Sequence, residues 1–337
     1  MDRRRPPAPS AFSGPARRQG ALGNQTRGPR MTETAGDEAP KKLVVAGREI
    51  TVTHPGRIYF PDAGLTKFDV LSYVAQAGEA MARYTRNRAL ALRRYPRGID
   101  QKGFFQKRVG GYFPDWLRTA ILPTGKGPLE YALGGDAAAF VWMAGLGTIE
   151  FHAMLSRADK PHLPDQIIFD LDPPVDYTDD VRLAALGLKA ICDDLRLTCF
   201  VKTTGSRGFH VILPIRREHD FDATRAFAKL LAARLMDVQP GKLTLDMKKA
   251  QRQGRILVDV WRNGYGQTAV APYSLRARPG APVAVPRRWA DLESPDIHPR
   301  AVTLQNFAAN GAHWTGIWPE TLGPACSIGA AWKALGG

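Results

Sequence analysis

Along this chain, stretches where apolar side chains recur at every second position give way to stretches where they recur at every third or fourth, and the change of period marks its elements. "KLVVAGREITVTH", beginning at Lys42, predicts two short strands around an Ala-Gly turn. From Lys67 to Tyr84 ("KFDVLSYVAQAGEAMARY") the period is helical, with Thr66 placed as N-cap. "QIIFDLD" at 166–172 predicts a strand stopped by Pro173 and Pro174. "TDDVRLAALGLKAICDDLRL" predicts an amphipathic helix capped by Thr178, with Asp179 and Asp180 favourably placed at its positive end. "TCFVKT" and "FHVILPI" predict strands joined by "TGSRG"; a second helix follows from Asp222 to Val238, and "RILVDVWR" at 255–262 a further strand. Residues 85–131, dense in Gly, Pro, Arg and aromatics ("RRYPRGIDQKGFFQKRVGGYFPDWL"), follow no simple period and predict a working surface of strands and loops. The pattern is that of a mixed α/β (α+β) body without internal repeats.

Acids interrupt two of the most apolar strands. Side chains alternate along a strand, so Asp170 and Asp172 share a face, roughly 6 to 7 Å apart at Cα. Two such anions are tolerated where they meet water or a hard divalent cation such as Mg2+ or Mn2+. The pair therefore reads either as a metal seat or as a solvated strand end before the prolines. Asp259 lies between Val258 and Val260, where an unpaired carboxylate is costly. If its strand neighbours that of Asp170, three acids converge in the manner of a two-metal phosphoryl-transfer site; if not, Asp259 is one acid on a wet face. "KTTGSRGFHV" at 202–211 offers the hydroxyls of Thr203, Thr204 and Ser206, the Arg207 guanidinium and His210 around two glycines. That is the composition of a phosphate cradle, and also of a bare hairpin turn. Walker A, GxGxxG, HExxH, GxSxG and KxDG signatures are absent. His152 and His210 sit in apolar contexts, where a satisfied core histidine is the commoner case.

Composition narrows the setting. The 337 residues, 44% hydrophobic, suffice for one large domain or two moderate ones. Net charge is +15, pointing to a polyanionic partner. Residues 1–30 hold seven arginines and one aspartate in a Pro-, Gly- and Gln-rich stretch, so about +6 belongs to these thirty residues, the larger part of a tail over 1–40 expected to be disordered, and Met31 is a possible second start. About +9 remains elsewhere. No run approaches the roughly 18 to 20 apolar residues of a membrane span, and no h-region follows Arg3, Arg4 and Arg5, so a cytoplasmic protein without membrane contact is expected. Cys192, Cys199 and Cys326 form no CxxC pair, which supports neither a disulfide framework nor zinc.

Taken together and in order, "DLDPP", "TGSRGFHV", "RILVDVWRN" and "APYSLRARP" closely resemble the polymerase domain of bacterial ligase D, a non-homologous end-joining enzyme of the archaeo-eukaryotic primase superfamily. The resemblance covers about residues 42 to 310, with 311–337 expected as a C-terminal extension of the same domain. It implies a primase-polymerase fold with central sheets carrying the acids. Asp170, Asp172 and Asp259 match a triad for two ions, Mn2+ or Mg2+. Thr204 stands for the usual serine and Arg207 for the usual lysine of the nucleotide loop; Ser206 and His210 match within it, and Arg276 in "PYSLR" matches a triphosphate contact. Phe104 and Phe105 in "GFFQK" match paired phenylalanines that stack on template bases. Arg57 and Lys67 match holders of a 5'-phosphate, beside which His54 replaces an asparagine. His152 matches an active-site neighbour, and Arg252 a basic loop residue that arranges synapsed ends. The resemblance implies template-directed addition of NTP or dNTP, ribonucleotides preferred, to 3'-hydroxyls at breaks and short gaps, with Ku and a separate ligase as partners of a stand-alone polymerase. A non-catalytic end-bridging module and a primase acting on single-stranded template are the competing expectations.

Overall fold

The computed structural model describes residues 39–336 apart from 175, 321 and 324; all but the last two residues of the expected tail, and Met31, lie outside the described residues. β1 (Lys41–Val45) and β2 (Arg48–Val52) form the first hairpin, turning through Ala46 and Gly47 at positive φ. β3 (Ile58–Phe60) and β4 (Leu65–Thr66) pair just before α1 (Lys67–Thr85), whose first turn is closed by a capping box between Thr66 and Asp69. The aperiodic segment resolves into β5 (Leu90–Arg94), β6 (Phe104–Gln106) and a hairpin of β7 (Thr119–Leu122) and β8 (Leu129–Ala132). There follow α2 (Ala137–Gly145), β9 (Thr148–Met154), β10 (Gln166–Asp172) and α3 (Asp179–Asp194). Next come β11 (Phe200–Thr203), β12 (Phe209–Pro214), α4 (Phe221–Val238), β13 (Leu243–Thr244) and α5 (Lys249–Arg252). The chain continues through β14 (Ile256–Asp259), β15 (Thr268–Val270) and β16 (Pro286–Arg287) to α6 (Leu304–Thr315) and α7 (Gly329–Ala334).

Two sheets carry the molecule. One has six strands in the order β13-β14-β10-β12-β11-β16, antiparallel except for the β13/β14 pair; the other has four in the order β15-β9-β5-β6. Strand alternation sorts their residues. On the six-stranded sheet Phe169, Leu171, Val201, Phe209, Val211 and Val258 point one way and pack with Val181, Leu188, Phe227 and Leu231 of α3 and α4. On the four-stranded sheet Ile149, Phe151 and Leu92 point the other way, onto α1 and α2. Each such side chain contributes roughly 1.5 to 3 kcal/mol by leaving water. Between the sheets a smaller cluster of Leu155, Ile168, Ile212 and Ala269 joins them at one end and leaves a cleft at the other. The order is helices, sheet, cleft, sheet, helices.

Four expectations shift. Thr178 occupies the N-cap of α3 without a side-chain bond to the helix, since Asp179 and Asp180 already complement the dipole there. α4 begins at Phe221, because Asp220 takes the cap and accepts from Ala223 N. β14 ends at Asp259 rather than Arg262. The reason is Asn263, whose Oδ1 accepts from Ile168 N and whose Nδ2 donates to Ile168 O, each at 2.8 Å, so a side chain replaces the next ladder step. Finally, α6 reaches across the boundary expected at 310 but kinks there, at Asn310 (φ -134°, ψ 29°); before the kink, Phe307 packs edge-on against Tyr73, 5.1 Å between centroids. No helix among the described residues is long and apolar enough to cross a membrane.

Candidate active site

Register brings the acids together. Asp170 on β10 lies directly opposite Asp259 on β14 and, on its other side, opposite His210 on β12, which in turn lies opposite Lys202 on β11. Residues directly opposite in antiparallel strands point to the same face, so Lys202, His210, Asp170 and Asp259 form one row across four strands, facing the cleft. Asp172 follows two residues on, on the same face, opposite Leu257.

Basic groups meet every acid of this face. Arg262 Nε stands 3.4 Å from both Asp170 Oδ2 and Asp259 Oδ2. Arg207 Nη2 donates to Asp172 Oδ1 at 3.0 Å, with Arg252 Nη1 3.7 Å from Oδ2. His210 Nε2 is 3.4 Å from Asp170 Oδ1, while its buried Nδ1 has no hydrogen-bond partner among the described residues. Burial pushes the Asp170 carboxyl upward, but His210, Arg262 and Lys202 outweigh it and hold it well below the usual carboxylate range. Asp259 goes the other way, raised by burial and by the neighbouring Asp170 charge. Burial and Lys202 bring His210 down to about 4, so the imidazole is neutral at pH 7. Lys202 itself is lowered to about 7 by burial and by Arg276.

Would this set suit divalent ions? Three hard carboxylates on one face of two paired strands have the donor chemistry for Mg2+ or Mn2+, and the guanidinium groups of Arg262 and Arg207 show that this face attracts cations. As placed, however, Asp172 turns to Arg207 and Arg252. Among the described residues no group of three His, Cys, Asp or Glu side chains stands close enough to hold one ion. The donor set fits, and loading it requires the two arginines to give way.

Above the acids, the 204–208 loop is built around one hydroxyl. Thr204 Oγ1 donates to Gly208 O at 3.0 Å and accepts from Ser206 N and Gly208 N, so it shapes the turn rather than facing a ligand. A Cβ on Gly208 would lie 1.8 Å from Leu171 O, and Gly205 has φ of 60° with a virtual Cβ 2.8 Å from Arg276 Cγ. Only glycine lets this loop lie against β10 and Arg276. Arg276 Nη1 donates to Thr204 O at 2.6 Å. From the other sheet, His152 reaches Glu150 Oε2 at 3.0 Å, and Glu150 Oε1 accepts from Ala277 N. Burial opposes the Glu150 charge, but His152 and Arg276 prevail and keep it ionised. Ser206, Arg207, His210, His152, Arg262, Arg276 and Arg278, with Asp170 and Asp172, line a cleft of about 190 Å3.

The remaining expected residues are not among those that line this cleft, although Phe105 and Arg252 each touch a residue that does. Phe104 and Phe105 are 48% and 56% exposed on the edge strand β6; Arg94 lies 5.4 Å from the Phe104 centroid, Arg93 5.6 Å from that of Phe105, and Phe105 meets His152 edge-on at 5.5 Å. Arg57 donates to Pro96 O, and Lys67, buried, donates to Thr53 O. Burial and the nearby Arg57 bring Lys67 down to about 8. Arg252 is buried as well, donating to Asp246 O and Met247 O, so it braces its loop and stands by Asp172. His54 sits at φ 52°. Glu150, Lys202, Arg262 and Asn263 are site residues that the sequence did not single out.

The model of the LigD primase-polymerase domain family matches residues 66–318. The multifunctional non-homologous end joining DNA repair protein LigD of Mycobacterium tuberculosis (strain ATCC 25618 / H37Rv) is 32% identical over 263 residues, 74% of this chain and 34% of that protein. The Pseudomonas aeruginosa LigD is 32% identical over 248 residues, 73% of this chain and 29% of that protein. The bifunctional LigD of Bacillus subtilis (strain 168) is 28% identical over 250 residues, 73% and 40%. The chain thus spans about a third of the length of these curated relatives. Among solved structures, the polymerase domain from Mycobacterium tuberculosis ligase D in complex with DNA matches with a TM-score of 0.73 and 28% identity, over 78% of this chain and 94% of that one. The likeness read from four short motifs therefore extends through both sheets and the cleft between them, and the chain belongs to the LigD primase-polymerase domain family.

Proposed function

We propose that this chain is a template-directed nucleotidyltransferase that adds nucleotides, ribonucleotides by preference, to 3'-hydroxyls at DNA breaks and short gaps in non-homologous end joining. The observation that carries the reading is the cross-strand row that sets Asp170 opposite Asp259 beneath an arginine-rich, glycine-shaped loop. Arg207 and Arg276 offer the cleft to a triphosphate. Asp170, Asp172 and Asp259 would hold two divalent ions, which when bound neutralise the triphosphate and activate the attacking hydroxyl. In the reaction the 3'-oxygen bonds to the α-phosphorus, the bond to the β-bridging oxygen breaks, pyrophosphate leaves and the hydroxyl proton passes to solvent. The protein contributes position and charge rather than a nucleophile.

Phe104 and Phe105, carried by Arg94 and Arg93, supply a stacking platform for template bases. Arg57 and Lys67, two neighbouring cations, suit the 5'-phosphate of a gap. Ku and a separate ligase are the partners this reading calls for. A second reading, a non-catalytic end-binding module, draws on the guanidinium groups that close over the acids. One assay separates them: a 5'-phosphorylated gapped duplex with Mn2+ and a labelled NTP or dNTP. Extension by the wild type, abolished in Asp259→Ala with DNA binding kept, supports the enzyme; a mobility shift without extension supports the binder.

A further inference from the structure

Two residues beyond the end of the strand that carries Asp259 stands an aromatic residue the proposed mechanism leaves unused. Trp261 is 45% exposed, and its backbone N–H donates to Asp259 Oδ1 at 2.9 Å, so the position of the residue is tied to that carboxylate. Two cations of α4 stand over its ring, Lys229 Nζ at 4.5 Å and Arg225 Cζ at 5.4 Å from the centroid. Four residues apart, they lie on one side of the helix and form a single basic ridge. Arg225 also donates to Asp222, whereas among the described residues Lys229 has no carboxylate partner.

Beside the ring opens a cavity of about 420 Å3, lined by Asp259, Arg262, Met247, Tyr265 and Gln267 as well as Trp261 and Arg225. This cavity and the triphosphate cleft have Arg262 alone in common. Asp170 and Asp172 border the cleft, and Asp259 borders the cavity. The row of acids is thus the partition between two openings.

In-line phosphoryl transfer places the attacking oxygen and the leaving pyrophosphate on opposite sides of the phosphorus. With the triphosphate on the Arg207 and Arg276 side, the attacking strand arrives from the other. A solvent-facing indole beside cations is also what a single strand stacks and rests its phosphates on. Resting on the polymerase reading above, we propose that the cavity beside Trp261 seats the 3'-terminal nucleotides of the acceptor strand, with a base or sugar against the indole and backbone phosphates toward Lys229 and Arg225.

The test begins with a photo-crosslink, run in EDTA so that no turnover is needed. A gapped duplex carries 4-thiothymidine either at the 3'-end of the acceptor strand or in the template opposite the gap. The acceptor label is expected to attach to the peptide containing Trp261; attachment elsewhere, or attachment of the template label there instead, overturns the proposal. Steady-state extension supplies the second arm. Trp261→Ala and, independently, the surface change Lys229→Glu should each raise KM for the acceptor strand about tenfold, the scale of one stacked base, and leave KM for the NTP within about twofold. An unchanged acceptor KM, or a shift in NTP KM of the same size, overturns it. Absence of extension by the wild type would sink the polymerase reading alone, and the crosslink would still decide where the acceptor end sits.

Discussion

The two sheets that face one another across the cleft are built to different standards. On the six-stranded sheet the charged row comes from internal strands: β10 and β12 are bonded on both sides, so Asp170 cannot slip without unpairing β14 and β12 together. On the four-stranded sheet Phe104 and Phe105 sit on β6, an edge strand of three residues, with their rings in solvent. Holding a phosphorus in line demands carboxylates fixed to a fraction of an ångström. Stacking on a base tolerates displacement along the ring face. On the function proposed above, geometry-critical chemistry would occupy the register-locked interior, and adaptable contact the edge.

That contrast can be attacked from either side, beginning with the largest effect. Asp170→Asn should lower extension by at least about 10^3-fold while the affinity for a gapped duplex, read by fluorescence anisotropy, stays within about twofold; an equal loss of binding would mean the row also holds DNA. Gly208→Ala drives a Cβ into Leu171 O, and chemical denaturation should show a loss of about 3 kcal/mol together with lost activity. On the edge, replacing Phe104 and Phe105 by Ala should weaken DNA affinity by about 1 to 3 kcal/mol per ring and leave the unfolding midpoint nearly unmoved, because neither ring is part of the core. A large fall in stability there would show the edge to be structural after all.

The smallest effect is a titration. Lys202 is brought down to about 7 in the fold against the ordinary lysine value of 10.5. Between those values the unfolded chain holds the proton and the folded chain does not, so stability rises with pH from about 7 toward 10.5, and below about 7 the full burden of the buried ammonium is felt. Lys202→Met should therefore raise the melting temperature at neutral pH and flatten the melting curve's rise between pH 7 and 10. A variant with the wild-type slope would show the ammonium to be better accommodated than its burial implies.

Much of the six-stranded sheet was legible beforehand because period-two alternation is a local signal: it put Asp170 and Asp172 on one face and gave Asp259 apolar neighbours. The resemblance of four motifs supplied the rest of the chemistry. What stayed hidden depends on register between distant strands. Lys202 joins the row only because β11 pairs with β12 and β12 with β10, and Arg262 bridges two acids only because β14 stops where it does. Glu150 shares a face with His152 two residues on, a cue that spacing offered and that means something only once Arg276 is beside it. The resemblance gave Lys67 as a holder of a 5'-phosphate and Arg252 as an end-arranging loop residue, and nothing local announces that a lysine or arginine will be buried against carbonyls. The segment 85–131 lacked a period because its strands are short and its loops carry exposed rings and arginines.

Asn263 holds the end of the Asp259 strand by imitating a peptide with its side-chain amide. Because that clasp belongs to one residue and not to a continuing ladder, the main chain is free to leave the sheet at once, and exposed positions beyond the clasp, such as Gln267, can be changed without dislodging the carboxylate. Mutation there can accordingly reshape the lip of the cavity beside Asp259 while the row of acids stays put: a modular joint one amide wide and, on the polymerase reading proposed above, a natural place to graft new end preferences.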